Sequence, residues 1–160
     1  MKNIILITMF ITFLFSACTQ RYPLDLGGGY KIDCDGNSYS YIINKNNIGM
    51  INAHITYFKF DSTFIVVEQK PVDLMMKDAY LNPEMNLGKF KKLFEENTLR
   101  LYWIINKKEK SEYSFDTLTQ LARYSNVYGP FKEEEYLKKR KELGVSDKLD
   151  IKKTNEKAPY

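Results

Sequence analysis

The chain has 160 residues, with 24 basic and 20 acidic side chains and a net charge of +4. That length fits one domain, and so mild a charge lacks the basic stripe of a nucleic-acid protein, so no nucleic-acid partner is expected. Aromatic residues make up 14% of the chain, tyrosine the commonest, which is enough for a core and for aromatic surface facing a partner.

Lys2 supplies one positive charge, and residues 4–15 are apolar apart from Thr8 and Thr12. Such a run is too short to cross a hydrocarbon core, which needs ~20 residues. It matches the apolar region of a secretory signal. Ser16 and Ala17 follow, small enough for a protease pocket that excludes bulk, and then Cys18. Phe15, Ser16, Ala17 and Cys18 together resemble the lipobox of bacterial lipoproteins, with Phe15 where leucine is usual. The resemblance implies that residues 1–17 are a signal peptide cut before Cys18. The Cys18 sulfur would then carry a diacylglycerol and its new amine an acyl chain. Each buried CH₂ contributes about 0.8 kcal/mol, and two or more chains anchor stably to a membrane. An ordinary signal peptide with an incidental cysteine, or an uncleaved anchor, is the alternative. Lipoprotein sorting of the enteric type retains Asp-marked proteins in the inner membrane. Thr19 follows Cys18, so the resemblance implies the outer membrane, and residues 19–22 lack the acidic run that other lineages use for surface export. The expected anchor therefore faces the periplasm, or sits on the outer face of the plasma membrane in a single-membrane host. A lipidated Cys18 leaves Cys34 no intramolecular partner, which excludes a disulfide framework. Cys34 then reads as a small buried hydrophobe.

Residues 18–26 read as a tether, and Gly27, Gly28 and Gly29 as a flexible lead-in. No G-x-G-x-x-G pattern follows them, so they are not a dinucleotide loop. Asp35-Gly36 suits a two-residue type I′ hairpin turn. That turn pairs Cys34 with Asn37, Ile32 with Tyr39, and Tyr30 with Tyr41. Tyr30, Ile32, Cys34, Tyr39 and Tyr41 then share one face, with Lys31, Asp33, Ser38 and Ser40 on the other. A calcium loop opening at Asp33 fails, because Ser38 and Asn44 stand where glycine and glutamate are required.

Residues 48–69 are strand-rich. A second hairpin turns at Asp61 and Ser62, with apolar residues on both faces of its strands, so these strands are expected to be central and covered on both sides. Asn82 and Pro83 fit a helix start, with Phe90, Leu93 and Phe94 as its apolar face; Gly88 weakens this helix, and Met75 and Met76 fall in a loop. Residues 99–106 return to strand, 107–110 form a charged turn, and 111–115 read as the returning strand. The run Ile-Ile-Asn-Lys occurs at 42–45 and at 104–107, as two strands ending in polar turns.

Two C-terminal helices are expected. Asp116 caps the first, with Leu118, Leu121 and Ala122 at i, i+3 and i+4. Gly129-Pro130 breaks the chain before the second. There Glu134–Lys138 and Glu135–Lys139 are favourable pairs, Leu137 and Leu143 form an apolar edge beside Tyr136, and Gly144 with Val145 makes the C-terminal cap. Residues 146–160 read as a frayed polar tail. The reading is an α+β domain over 27–145, an antiparallel sheet built from hairpins with two or three helices, the last two C-terminal. The phrases YWIINKK, YGPF and KKRKELGV, between residues 102 and 145, resemble the C-terminal part of small uncharacterised bacterial lipoproteins of unknown function. That resemblance implies an anchor and adds no mechanism.

His54 is the only histidine and lies in an apolar strand context. A Ser-His-Asp site would have to use it, yet no G-x-S-x-G elbow is present. A zinc site would find Cys34 as the only other soft ligand, so no metal and no cofactor are expected. Glu133, Glu134 and Glu135 are adjacent on a charged helix and do not share a face; Asp33 and Asp35 shape a turn. A glycosidase with paired carboxylates is defined by geometry and stays open as the alternative function. Lys138, Lys139, Arg140 and Lys141 read as a solvated helix face, or as a contact to anionic headgroups. Tyr30, Tyr39 and Tyr41 are the candidate binding face, an ordinary core face being the other reading. The expected function is a lipid-anchored envelope protein that is non-catalytic and binds another protein or a cell-envelope component, as an inhibitor, immunity factor or assembly accessory. A structural envelope protein is a further alternative.

Overall fold

Strand β6 (Phe64–Gln69) opens with four consecutive buried apolar residues, Phe64, Ile65, Val66 and Val67. Successive strand residues point to opposite faces, so such a run must be covered on both sides. The computed structural model, which describes residues 23–34, 40–52, 54–72, 84–116 and 121–151, shows what covers it. β6 pairs antiparallel with β5 (Ile55–Phe60) and β7 (Leu101–Asn106), and β7 pairs with β10 (Val127–Phe131), giving the sheet order β10-β7-β6-β5. A second sheet has the order β1-β2-β3-β4, from Leu24–Gly27, Tyr30–Cys34, Ser40–Ile43 and Gly49–Ile51.

Alternation sorts the central sheet into two cores. Ile55, Ile65, Val67 and Ile105 meet Leu26, Tyr30, Ile32, Ile42, Met50 and Ile51 of the second sheet. The opposite residues, Phe64, Val66, Tyr102 and Ile104, meet Tyr136 of a C-terminal helix and Val145, Leu149 and Ile151 after it. The result is three layers: sheet, sheet and helix. Among the described residues β8 (Tyr113–Asp116) and β9 (Leu121–Tyr124) pair only with each other, as a two-stranded arm.

The described residues form two α-helices, α1 (Leu87–Glu96) and α2 (Glu133–Leu143). Asn86 caps α1, its side chain accepting the Lys89 N–H at 3.0 Å. Asn82 and Pro83 lie outside the described residues. α1 rests on the end of β6 through Phe94, which the Lys70 ammonium faces at 4.3 Å and the His54 ring meets edge-on at 5.8 Å. In α2 the Glu135 carboxylate turns back to accept the Lys132 N–H at 3.0 Å, and Lys139 pairs with Glu142 at 2.7 Å. Gly144 ends the helix in the left-handed conformation, the Val145 N–H bonds the Arg140 carbonyl, and Val145 is buried, as the sequence predicts.

The antiparallel α+β class and the hairpin at residues 61–63 stand as read, but several placements change. β2 and β3 are joined through residues 35–39, and Cys34 faces Ser40 rather than Asn37. This odd shift reverses the faces of β3. It buries Ile42, and the buried Ser40 hydroxyl is satisfied by donating to the Ile55 carbonyl at 2.9 Å. Two well-buried residues outweigh a local turn preference. Of the segment read as a first C-terminal helix, Asp116 ends β8 and Leu121 and Ala122 open β9, paired with Asp116 and Phe115, while residues 117–120, Leu118 among them, lie outside the described residues. β8 is therefore not the return strand of β7; β10 is. Gly129-Pro130 does not break the chain but lies inside β10, at an irregularity between Tyr128 and Phe131. On α2 the buried side is Tyr136 and Arg140, and Leu137 points outward. The packed chain also extends past residue 145, since Leu149 and Ile151 are 5% and 4% exposed. It begins before residue 27, at the strand that holds the fully buried Leu26.

Gly129 is held at φ +133, and an added Cβ would lie 2.8 Å from both the Tyr102 carbonyl and the Trp103 ring. Gly144 is also at positive φ, but a Cβ there would meet nothing within 4 Å. Gly144→Ala is expected to cost about 1 kcal/mol, the backbone penalty alone. Gly129→Ala adds a clash with backbone and should cost about 3 kcal/mol. Urea unfolding of the two variants checks the difference.

Candidate functional site

The two Ile-Ile-Asn-Lys segments end at matching turns. Asn44 follows β3, and its side-chain oxygen accepts the N–H groups of Asn46 at 2.9 Å and Ile48 at 3.1 Å. Asn106 ends β7, and its side-chain oxygen accepts the Lys108 N–H at 3.0 Å. In both cases a short amide closes the turn, which presents the following lysine outward. Those lysines, Lys45 and Lys107, meet the turn between β1 and β2.

That turn is Gly27, Gly28 and Gly29, all at positive φ, and it is not a loose lead-in. The Lys107 stem crosses Gly28, where a Cβ would lie 3.0 Å from its Cδ, and the Lys45 stem crosses Gly29, where a Cβ would lie 3.2 Å from its Cβ. The Lys107 ammonium donates to the Leu26 carbonyl at 2.7 Å and to the Asp61 carbonyl. Burial holds its pKa below the usual lysine value, against the pull of Asp61.

Beside these turns the β8–β9 arm completes a groove of about 710 Å³, inside the ~300–1,000 Å³ range of small-molecule sites. Tyr30, Lys45, Lys107 and Lys110 line it with Tyr113 and Tyr124. Tyr113 is 61% exposed and meets Tyr124 at a steep angle with centroids 5.6 Å apart. Glu109 also lines the groove, and each of its oxygens already accepts one hydrogen bond. One accepts from Asn106 Nδ2 at 2.7 Å and the other from the Tyr128 hydroxyl at 2.6 Å. Tyr30 forms part of the floor, its oxygen accepting from Asn126 Nδ2 at 2.7 Å.

Of the two described tyrosines singled out from the sequence, Tyr30 lines this groove and Tyr41 does not. Tyr30 belongs to the core as well as the floor, at 6% exposure. Tyr41 faces Asp33 across the hairpin, while Tyr30 shares the face of Ile32, so the two lie on opposite sides of the sheet. Tyr39 and Cys18 lie outside the described residues, as does the whole signal segment. Tyr113, Tyr124, Lys45 and Lys107 were not legible as a group. The repeated Ile-Ile-Asn-Lys run was the available signal.

A second polar cluster lies under α2. Arg100 is 3.5 Å from Glu68, which also accepts from the Thr56 hydroxyl at 2.7 Å. Tyr102 hydrogen-bonds Glu68 and stacks on Tyr136 at 4.9 Å. Arg140 lies over the Tyr136 ring and donates to the Ser146 carbonyl at 3.0 Å. The basic run 138–141 is thus divided, with Arg140 buried and Lys139 5.5 Å from the Tyr128 ring. This cluster is enclosed and ties α2 to the sheet, whereas the groove is open. Among the described residues no group of three metal-ligating side chains is placed to hold an ion, and no helix is long and apolar enough to cross a membrane.

Three phenols bind their protons tightly. Burial pushes Tyr102 and Tyr136 up to about 12, with Glu68 adding to both, and the bond to Glu109 pushes Tyr128 up to about 12. An unfolded tyrosine ionises near ~10. The folded state holds these protons longer, so their stabilisation is complete below pH ~10 and is lost as pH rises towards 12. Urea midpoints measured against pH should fall across that window. Glu109→Gln removes the charged acceptor, and ultraviolet titration should then show one phenol ionising closer to ~10.

Neither a curated protein nor a solved structure matches the chain. Residues 28–155 match the model of a family described as protein of unknown function (DUF3997), a span from the glycine turn to beyond the last buried residue of the helix layer, and the chain belongs to that family.

Proposed function

We propose that this is a lipid-anchored cell-envelope protein, tethered through Cys18 and non-catalytic. It acts as a binding or accessory module of the inhibitor or immunity type, and the groove is its contact site. The observation that carries the reading is the groove's lining, with lysines and an exposed tyrosine gathered around an acid whose oxygens each already accept one hydrogen bond. Such a lining offers donors and ring surface to a ligand. It offers little to a hydrolase, since the paired-carboxylate alternative needs two available acids and Glu109 is the one acid among the described residues lining the groove. The signal-like N-terminus supports an anchor in the outer membrane facing the periplasm, or on the outer face of the plasma membrane in a single-membrane host.

Two measurements test this reading. The wild-type protein should partition into the detergent phase on cloud-point extraction, and Cys18→Ser should move it to the aqueous phase. In-cell crosslinking of the anchored protein should capture a stoichiometric envelope partner, lost at least five-fold in Tyr113→Ala. Equal partitioning of wild type and Cys18→Ser would remove the anchor, and a partner indifferent to Tyr113→Ala would move the contact site away from the groove.

A further inference from the structure

Hydrogen-bond supply in the groove is one-sided. Asn126 is 1% exposed and uses its amide nitrogen on the Tyr30 oxygen at 2.7 Å and on the Asn106 carbonyl at 3.0 Å. Tyr30 is thereby an acceptor towards Asn126, and its largely buried ring forms part of the groove floor. Lys45 makes no ion pair among the described residues, and its stem is fixed over Gly29. Lys110 pairs with Glu112 at 2.8 Å, with both side chains more than half exposed; such a surface pair is weak and readily exchanged. Glu109, the one acid in the lining among the described residues, already accepts from Asn106 and Tyr128, one bond to each oxygen, and is outnumbered by Lys45, Lys107 and Lys110. A ligand rich in acceptors and carrying negative charge fits this supply.

The shape of that ligand follows from the arm. Tyr113 holds an open ring beside the cations, set steeply against Tyr124. Asn44, Asn46 and Ser111 add short amides and a hydroxyl, groups that both donate and accept. A flat ring body with C–H faces, a rim of hydroxyls and one carboxylate answers each part. We infer that the groove binds a saccharide bearing a carboxylate, its ring against Tyr113 and its carboxylate towards Lys45 and Lys110. The inference rests on the binding-module reading above and deepens it.

Saturation-transfer NMR on the full chain, extracted in detergent micelles, tests this with four probes. N-acetylmuramic acid and N-acetylglucosamine differ by a carboxylate-bearing arm, galacturonic acid carries its carboxylate on the ring, and triglutamate is an acidic peptide. At least one acidic sugar should bind saturably, and N-acetylglucosamine at least ten-fold more weakly. Muramic acid alone would point to an amino-sugar polymer as the source, and galacturonate alone to a uronate polymer. Lys45→Gln and Lys110→Gln should each weaken the acidic sugar several-fold, and Tyr113→Ala should weaken it further, all with unchanged thermal unfolding because the altered groups are exposed. Equal binding of the neutral and acidic sugars overturns the inference. So does binding of triglutamate alone, binding of none of the four, or acidic-sugar binding that all three variants leave intact. Failure here with a protein partner still lost in Tyr113→Ala in cells would leave the module reading standing and remove only its saccharide ligand.

Discussion

The fold depends on one requirement, that both faces of the β6–β7 pair be covered. Ile65, Val67 and Ile105 point one way and Phe64, Val66 and Ile104 the other, and all six are 8% exposed or less. One covering layer would leave three large side chains in water, each worth ~1.5–3 kcal/mol when buried. The chain supplies a second sheet from its N-terminal half and a helix from its C-terminal end. The polar groups of the seam are bridged in part, through both amide atoms of Gln69 and through the nitrogen of Asn126, whose Oδ1 is buried with no partner among the described residues. Gln69 accepts from Trp103 Nε1 at 2.7 Å and donates to the Asn52 carbonyl at 2.8 Å, and Asn126 spans from Tyr30 to Asn106. Buried polar bridges of this kind fix which residues face each other, because a slip would strand them without partners.

The groove is a consequence of that stacking. β2 and β3 in one sheet and β7 in the other bring their turns to one end of the layers. The two Asn-closed turns then lay Lys45 and Lys107 over a single glycine turn. Lysine stems are apolar and their heads are not, so a stem can lie on bare backbone while the ammonium reaches carbonyls or solvent. Positive φ at Gly28 and Gly29 keeps that surface free of side chains where the stems cross.

What the sequence disclosed and what it hid divide along physical lines. The continuous apolar run of β6 disclosed a central, doubly covered strand, and Asp61 and Ser62 disclosed its turn. The C-terminal cap at Gly144 was equally legible, since glycine in the left-handed conformation followed by an apolar residue is a local pattern. The β2–β3 register was not, because Asp35-Gly36 is a local signal and burial of Ile42 is a tertiary one. β9 was misread because three apolar residues at helical spacing are too few to separate period 3.6 from period 2. Leu149 and Ile151 were lost in a polar stretch because single apolar residues flanked by charges show no period at all. The groove was hidden for a further reason: its residues come from three separate turns and the arm, which only the stacking of layers brings together.

The charge of the groove shows how closely site and fold are joined. Taken from the sequence, the turn after β7 sets three lysines, Lys107, Lys108 and Lys110, beside two glutamates, Glu109 and Glu112. Folding then fixes where one of those acids points. Tyr128 lies on the helix side of β10, packed against the core that holds Tyr136, and its hydroxyl reaches Glu109. Asn106, closing its own turn, takes the second oxygen. Each oxygen thus holds one bond to the protein and keeps a further acceptor site, while lysines outnumber this one acid in the lining among the described residues. The acid is held in place by the same strand, β10, whose tight passage at Gly129 seats it against β7.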